Sequence, residues 1–333
     1  MQARQQDPLT VLDPGLAGWV RRALPGQRVT AATRLGGGYR NRNTLIAAAG
    51  GQAYVLRQYG ADQPAVPPGT APADPAAARI CAVEAALARR LLGVAPVPEV
   101  VAADPAGSAA GQPVLLSRHV PGVPVGVALA GSGERDQAFL GRTTGRALAA
   151  IGTISFDRGG FFTDGTLEPS ALDMSASLPE FVEKCLAAGP APDVLSPAEL
   201  AGLRSLARAW APLAARASGS RQLVHSDFNP KNLLASRAHG EWSITAVLDW
   251  EFAFSGSPLH DIGNMLRFAG ERPPAFTAGF TEGFRGGGGE LPPGWREESE
   301  ALDLFALADL LTRPVGHRYF GRAVAAIRAR LIA

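Results

Sequence analysis

His225-Ser226-Asp227-Phe228-Asn229-Pro230-Lys231-Asn232, with Asp249-Trp250-Glu251 after it, is the stretch on which the fold turns. Between the two pieces, residues 232–236 and 242–248 alternate as strands do, and a turn-rich segment near residues 237–241 joins them, so the spacing predicts a β-hairpin. Asn232 enters the first arm and Asp249 leaves the second. Antiparallel pairing then puts both residues at the same end of the ribbon.

Upstream of this hairpin the chain reads as mixed α/β. Residues 12–24 suit a helix, with Asp13 as N-cap and Pro14 at the first position. Strands are expected at 29–35, 44–48, 52–58, 97–102 and 113–118. Residues 60–75 are rich in Pro and Ala and read as an irregular excursion. Asp74-Pro75 opens a second helix, with Ile80, Val83, Leu87 and Leu91 at helical spacing. From Arg135 onward the period is helical, most clearly at 137–151, 178–188, 197–216 and 297–311, with the motif region as the one β interruption. Gly-rich residues 286–289 read as a flexible loop. The class is α+β, with a β-rich part at residues 1–118 and a helical part at 119–333 carrying the motif loop.

The chain has 333 residues and a net charge of +2, so no strong field recruits nucleic acid or an anionic membrane. No apolar run is long enough to span a bilayer, and Met1 to Thr10 lacks the apolar core of a secretory signal. Cys81 and Cys185 form no Cys-x-x-Cys pair. A cytoplasmic protein is expected. Lys184 and Lys231 are the only lysines; every other basic residue is Arg, in a composition typical of GC-rich bacteria.

Asp227 is the candidate general base, a carboxylate suited to take or orient the proton of an acceptor hydroxyl. Asn232 and Asp249 offer an amide oxygen and a carboxylate, a hard-oxygen pair that suits Mg2+ better than zinc. Together these are the parts that phosphoryl transfer from a nucleoside triphosphate to a hydroxyl requires. His225 reads as a holder of the loop backbone, and Asn229 and Lys231 as loop polarity within reach of substrate or phosphate. Gly36-Gly37-Gly38-Tyr39-Arg40-Asn41 lies between two strands; Gly37 and Gly38 let backbone N–H groups approach phosphate oxygens, and the pattern is not a Walker P-loop. Glu84 lies on the apolar side of its helix, a costly place for a carboxylate without a partner, and Arg57 is the natural one. Asp261 reads as the N-cap of a further helix with a hydrogen bond to the motif loop.

These residues resemble the aminoglycoside phosphotransferase and choline kinase family, relatives of the protein kinases. The match is closest over residues 223–266, where His225-Ser226-Asp227 through Asn232, then Leu248-Asp249-Trp250-Glu251, Gly256, Pro258 and Asp261-Ile262-Gly263 follow the family pattern. A looser match takes in Gly37-Gly38, Val55-Leu56-Arg57, Glu84, Val97-Pro98 and residues 115–122. The resemblance implies a bilobal, protein-kinase-like fold and an ATP- or GTP-dependent small-molecule kinase. In it Asp227 is the catalytic base, Asn232 and Asp249 hold magnesium, and Arg57 and Glu84 form the ion pair that faces the nucleotide phosphates. Arg stands there in place of the usual Lys. The nucleobase would lie against Ser117, Arg118, His119 and Val120, and Asn41 belongs to the nucleotide side.

For the acceptor, the sequence favours a cationic antibiotic, an aminoglycoside or a basic cyclic peptide of the capreomycin or viomycin kind, and hence antibiotic resistance. Residues 281–310 hold Glu282, Glu290, Glu297, Glu298, Glu300, Asp303 and Asp309 against Arg285 and Arg296, an acidic excess that suits a polycation. Trp250, Glu251, Glu297, Glu298 and Glu300 are the acceptor-side candidates. A kinase of choline, homoserine or a similar metabolite is the alternative, and a non-catalytic nucleotide-binding regulator the reading from another class. A monomer or a homodimer fits equally.

Overall fold

The computed structural model describes residues 7–36, 41–60, 74–170 and 177–332. The chain divides into two compact units, one of Met1–Gly122, Phe162–Glu168 and Thr245–Glu251, the other of Val123–Phe161, Pro169–Ile244 and Phe252–Ala333.

The first unit starts with helix α1 (Pro14–Ala23), whose N-cap Asp13 accepts from the Leu16 N–H. Strands β1 (Val29–Leu35), β2 (Asn41–Ala48) and β3 (Ala53–Tyr59) follow, then α2 (Pro75–Leu91), β4 (Val100–Asp104) and β5 (Val114–Arg118). The strands form one antiparallel sheet in the order β1-β2-β3-β5-β4. The two-residue period of β3 sorts its side chains onto two faces. Tyr54 and Leu56 join Leu16, Val20, Ile46, Val114 and Leu116 in one apolar core. Tyr59 lies on the other face, against Cys81 and Ala85 of α2 and Leu115 of β5. β4 begins later than the expected residue 97, because Pro96 and Pro98 lack the N–H that a ladder needs.

The second unit carries β6 (Val123–Pro124), α3 (Val125–Ala130), α4 (Glu134–Ile151), β7 (Gly160–Phe161), α5 (Leu178–Ala188), α6 (Ala191–Val194) and α7 (Pro197–Arg216). Then come β8 (Gln222–Val224), β9 (Leu233–Ala238), β10 (Glu241–Val247), whose end runs into the first unit, and β11 (Phe254–Gly256). Four helices close the chain: α8 (Leu259–Leu266), α9 (Pro274–Gly286), α10 (Trp295–Leu310) and α11 (Arg318–Ile332). The expected hairpin is β9–β10, turning at His239 and Gly240 with φ of 52° and 86°, as a two-residue turn requires. The motif is not the sole β interruption, since β8 pairs β11 and β11 pairs β7. One apolar core of this unit joins α5, α7, α10 and α11 through Leu178, Val182, Leu203, Leu304, Leu307 and Ile327. α4 and α9 meet along glycines: a Cβ at Gly145 would lie 2.1 Å from the Phe280 carbonyl oxygen, and one at Gly283 2.1 Å from that of Arg142. The glycines at 287–289 end α9 in a hydrogen-bonded turn, with Gly289 N–H donating to Phe284 O at 2.9 Å. Among the described residues, no helix is long and apolar enough to cross a membrane.

Candidate active site

In the second unit, the segment between β8 and β9 is pinned from below by α8. Asp261, fully buried, accepts from the backbone N–H of His225 at 2.7 Å and of Ser226 at 2.8 Å. One turn on, Asn264 donates to the Ser226 carbonyl at 3.0 Å. These three bonds hold Ser226 at a φ of 70°, a left-handed conformation that a non-glycine residue keeps only when its surroundings impose it. The N-cap of α8 is Pro258, so Asp261 sits inside the first turn and its carboxylate serves the loop rather than its own helix, which corrects half of the expectation. Burial pushes the Asp261 carboxyl up to about 7, against the two N–H groups that lower it.

The loop then folds on Asp227. Its N–H donates to His225 Nδ1 at 3.1 Å, so His225 holds the backbone as expected. Asp227 Oδ1 accepts from Asn229 Nδ2 at 2.6 Å. Asp227 Oδ2 accepts from Asn232 Nδ2 at 2.8 Å and faces Lys231 Nζ at 3.0 Å. The Asn232 amide nitrogen also bonds the Asp227 carbonyl at 2.9 Å, which turns its oxygen away from this network. Three donors fix the direction of one carboxylate.

In the first unit, Arg57 Nη2 bonds Asp249 Oδ1 at 2.6 Å, and Arg57 Nε lies 3.6 Å from Glu84 Oε2. The sequence-derived Arg57–Glu84 pair is therefore present, with Asp249 as a third member. Tyr59 completes the group: its hydroxyl donates to Glu84 Oε2, and the Arg57 guanidinium lies over its ring at 5.2 Å from the centroid. Burial opposes the charge of Arg57, but Glu84, Tyr59 and Asp249 outweigh it and raise its pKa. At Glu84 burial dominates and raises the pKa, while Arg57, the Tyr59 hydroxyl and the Trp250 N–H pull it down. Asp249 has a φ of 71° and, like Ser226, is a non-glycine residue in the left-handed region.

No group of three His, Cys, Asp or Glu side chains among the described residues could hold a metal alone. Asn232 in the second unit and Asp249 in the first each offer a hard oxygen, the donor type that magnesium takes. Asn232 has its nitrogen committed and its oxygen spare; Asp249 has one oxygen on Arg57 and a second to give.

The other expected residues fall as follows. Gly37 and Gly38 lie outside the described residues, while Asn41 opens β2 opposite Tyr59. Ser117 is buried in β5, and Arg118 and His119 donate their N–H groups to Glu99 O at 2.8 Å and Ala53 O at 2.9 Å. The Arg118 side chain pairs with Glu99 at 2.6 Å, and Val120 follows the strand. Trp250 is buried with its indole N–H on Val247 O at 3.1 Å, a core role, and Glu251 is half-buried beside it. Glu298 is buried against Arg216 at 3.3 Å, whereas Glu297 and Glu300 are exposed on α10. Most of the acidic stretch is neutralised locally. Glu282 faces Arg142 at 3.6 Å, Asp309 faces Arg313 at 3.5 Å, and Asp303 lies between Arg267 at 2.8 Å and Arg330 at 3.3 Å. A groove of about 810 Å3 along α9 is lined by Arg272, Arg285 and Arg296 with Thr277, Thr281 and Glu282, more basic than acidic.

Sequence reasoning missed Tyr59 and Asn264. The alternation of β3 puts positions 57 and 59 on one face, and Asn264 stands one helical turn after Asp261. Those were the available signals.

Three solved structures share this architecture. The GDP complex of aminoglycoside 2'-phosphotransferase-IIIa superposes with a TM-score of 0.68 at 16% identity, covering 95% of this chain and 97% of that one. A thermostable mutant of aminoglycoside phosphotransferase APH(4)-Ia, in ternary complex with AMP-PNP and hygromycin B, gives 0.60 at 21% identity, covering 94% and 98%. A putative fructosamine-3-kinase from Thermobifida fusca gives 0.61 at 21% identity, covering 96% and 99%. At such identities the likeness speaks for the protein-kinase-like fold. No curated protein sequence matches the chain. The family model of the phosphotransferase enzyme family matches residues 31–300, from β1 to the first turns of α10. The chain belongs to the phosphotransferase enzyme family and is a small-molecule kinase.

Proposed function

We propose that this kinase moves the γ-phosphoryl group of ATP or GTP, bound with magnesium, onto a hydroxyl of a small molecule. The observation that carries the reading is the Asp227 carboxylate, aimed by Asn229, Asn232 and Lys231 on a backbone that Asp261 and Asn264 hold in place. Asp227 orients the acceptor hydroxyl and takes its proton as the oxygen reaches phosphorus. Asn232 and Asp249 are the residues that would hold magnesium, which supplies charge neutralisation at the phosphate oxygens. Arg57 is kept charged by Glu84, Asp249 and Tyr59 and serves the α- and β-phosphates. Residues 117–120 take the nucleobase. The arginine makes a wider, forked contact than the lysine it replaces.

For the acceptor we propose a cationic antibiotic, inactivated by phosphorylation in the cytoplasm, with a metabolite kinase as the second reading. A fold neighbour crystallised with hygromycin B supports the first. The neighbour described as a fructosamine-3-kinase, and the ion pairing of the acidic residues in residues 281–310, favour the second. A screen for nucleoside diphosphate release with aminoglycosides, basic cyclic peptides and hydroxylated metabolites, followed by mass spectrometry, tests both. A gain of one phosphate on an antibiotic supports the first reading and on a metabolite the second. Silence across all classes, from protein that is folded, counts against the transfer itself.

A further inference from the structure

Three arginines line the groove of about 810 Å3 along α9. Arg272 precedes the helix, Arg285 stands in its last turn, and Arg296 lies in the first turn of α10. None of the residues set around Asp227 lines it. Arg272 is the informative member. The charges that bear most on it are Arg322, Glu271, Arg267 and Asp303. Both carboxylates are already taken. Arg322 bonds Glu271 and stacks over the Phe268 ring at 3.8 Å from the centroid. Asp303 lies between Arg267 at 2.8 Å and Arg330 at 3.3 Å. Arg272 Nη1 is left buried with no hydrogen-bond partner. Burial and the Arg322 charge push the Arg272 guanidinium down to about 10, and Glu271 offsets them only in part. An ionised group held off water without a counter-charge is costly. The side on which this one can still be answered is the groove that it lines.

We propose that this groove binds a small molecule through a dianionic oxygen group, a phosphate or a dicarboxylate, seated on Arg272, with Arg285 and Arg296 on its rim. A guanidinium presents a planar fork that matches either group with two parallel hydrogen bonds. The lining keeps an excess of positive charge even with Glu282 counted, and Arg142 of α4 already faces that carboxylate at 3.6 Å. One face of α9 supplies the neutral contacts. Thr281 spends its hydroxyl on the Thr277 carbonyl at 3.2 Å, which leaves the Thr277 hydroxyl, one turn earlier, as a donor to the ligand. Pro274 and Ala278 form apolar wall between the charged ends. The volume falls within the range of about 300–1,000 Å3 usual for small-molecule sites. That is more room than an inorganic anion fills, so the anionic group is the head of a larger molecule. The site makes no use of phosphate transfer and stands or falls apart from it.

The test uses the full-length protein in a buffer whose only small anion is chloride, with inorganic phosphate, glycerol phosphate or succinate added as probe. Thermal unfolding and calorimetry are run on wild type, on Arg272→Met and on the double variant Arg285→Gln/Arg296→Gln. Without probe, Arg272→Met should melt at or above the wild-type temperature, because it removes an uncompensated charge and keeps the apolar stem. A probe at about ten times its dissociation constant should raise the wild-type midpoint by about 2–4 °C. Arg272→Met should show no such rise. The double variant changes two exposed side chains, so it should melt with wild type and bind the probes about threefold or more weaker. A larger shift with the two phosphates than with succinate names a phosphate ligand, and the reverse names a dicarboxylate. Equal shifts in wild type and Arg272→Met put the anion elsewhere and overturn the inference, as does the absence of a shift with all three probes. Arg272→Met melting well below wild type without probe also overturns it, since the guanidinium then has a partner within the fold. Unchanged probe affinity in the double variant overturns the role of the rim whatever Arg272→Met does. Magnesium–AMP-PNP binding, measured on the same proteins, reads the kinase proposal by itself: AMP-PNP bound without any anion shift sinks this inference alone.

Discussion

Replacing Tyr59 by Phe removes one hydroxyl and leaves the ring that underlies Arg57. The hydroxyl donates to Glu84 Oε2, and both residues are buried, at 1% and 6% exposure. A hydrogen bond to an ionised partner contributes about 1.5–3 kcal/mol net, one between neutral groups about 0.5–1.5 kcal/mol. The size of the loss therefore depends on whether Glu84 is charged. Burial raises the Glu84 pKa, and the Tyr59 hydroxyl is among the groups that restrain that rise. A carboxyl with a folded pKa above its unfolded one favours the fold most at low pH, and that contribution disappears as pH climbs through the folded value. Tyr59→Phe pushes the folded value further up, so the variant is penalised more steeply as pH rises. The expected loss is about 1 kcal/mol at the acid end, where Glu84 is protonated, growing to about 2–3 kcal/mol at the alkaline end, where it is charged. Urea unfolding of both proteins at a series of pH values gives the difference directly, and the titration of Asp261 cancels because both proteins contain it. A loss that does not change with pH, or none at all, would refute the assignment of this hydroxyl to Glu84.

Asp249→Asn should weaken magnesium-dependent nucleotide binding by about tenfold or more, the cost of losing a charged partner in a hydrogen-bonded pair, read by calorimetry with and without magnesium. Asp261→Asn turns an amide nitrogen toward a loop N–H and should cost about 2–4 kcal/mol. Because burial pushes Asp261 up to about 7, the native fold gains stability as pH falls from there toward the usual carboxylate range, and denaturant melts of the variant should lack that part of the slope. Gly145→Ala drives a Cβ to within 2.1 Å of the Phe280 carbonyl oxygen. It should lower stability by about 3 kcal/mol, whereas Gly131→Ala, with nothing within 4 Å, should be nearly silent in the same melt.

Elements with their own punctuation were legible in the sequence. α5 and α7 begin at Leu178 and Pro197 after serine N-caps that form capping boxes, and both match their expected ranges. The Arg57–Glu84 pair was legible because a carboxylate on an apolar helix face demands a partner. β6, β7, β8 and β11 were not, since two or three residues carry no period and exist only through pairing with distant segments. The acidic stretch misled for a similar reason. Net charge along a segment says nothing of tertiary partners, and Arg142, Arg216, Arg267 and Arg330 come from four other places in the chain. The first unit likewise takes in residues 162–168 and 245–251, which a boundary drawn along the sequence leaves in the second.

Single-turnover phosphate transfer by Asp227→Ala, measured beside its affinity for magnesium–AMP-PNP, tests the centre of the account most directly. Transfer should fall by about 1,000-fold or more, beyond the usual contribution of a general base because the carboxylate also orients the acceptor, while nucleotide affinity stays within about twofold. A variant that still phosphorylates its acceptor at near the native rate contradicts it.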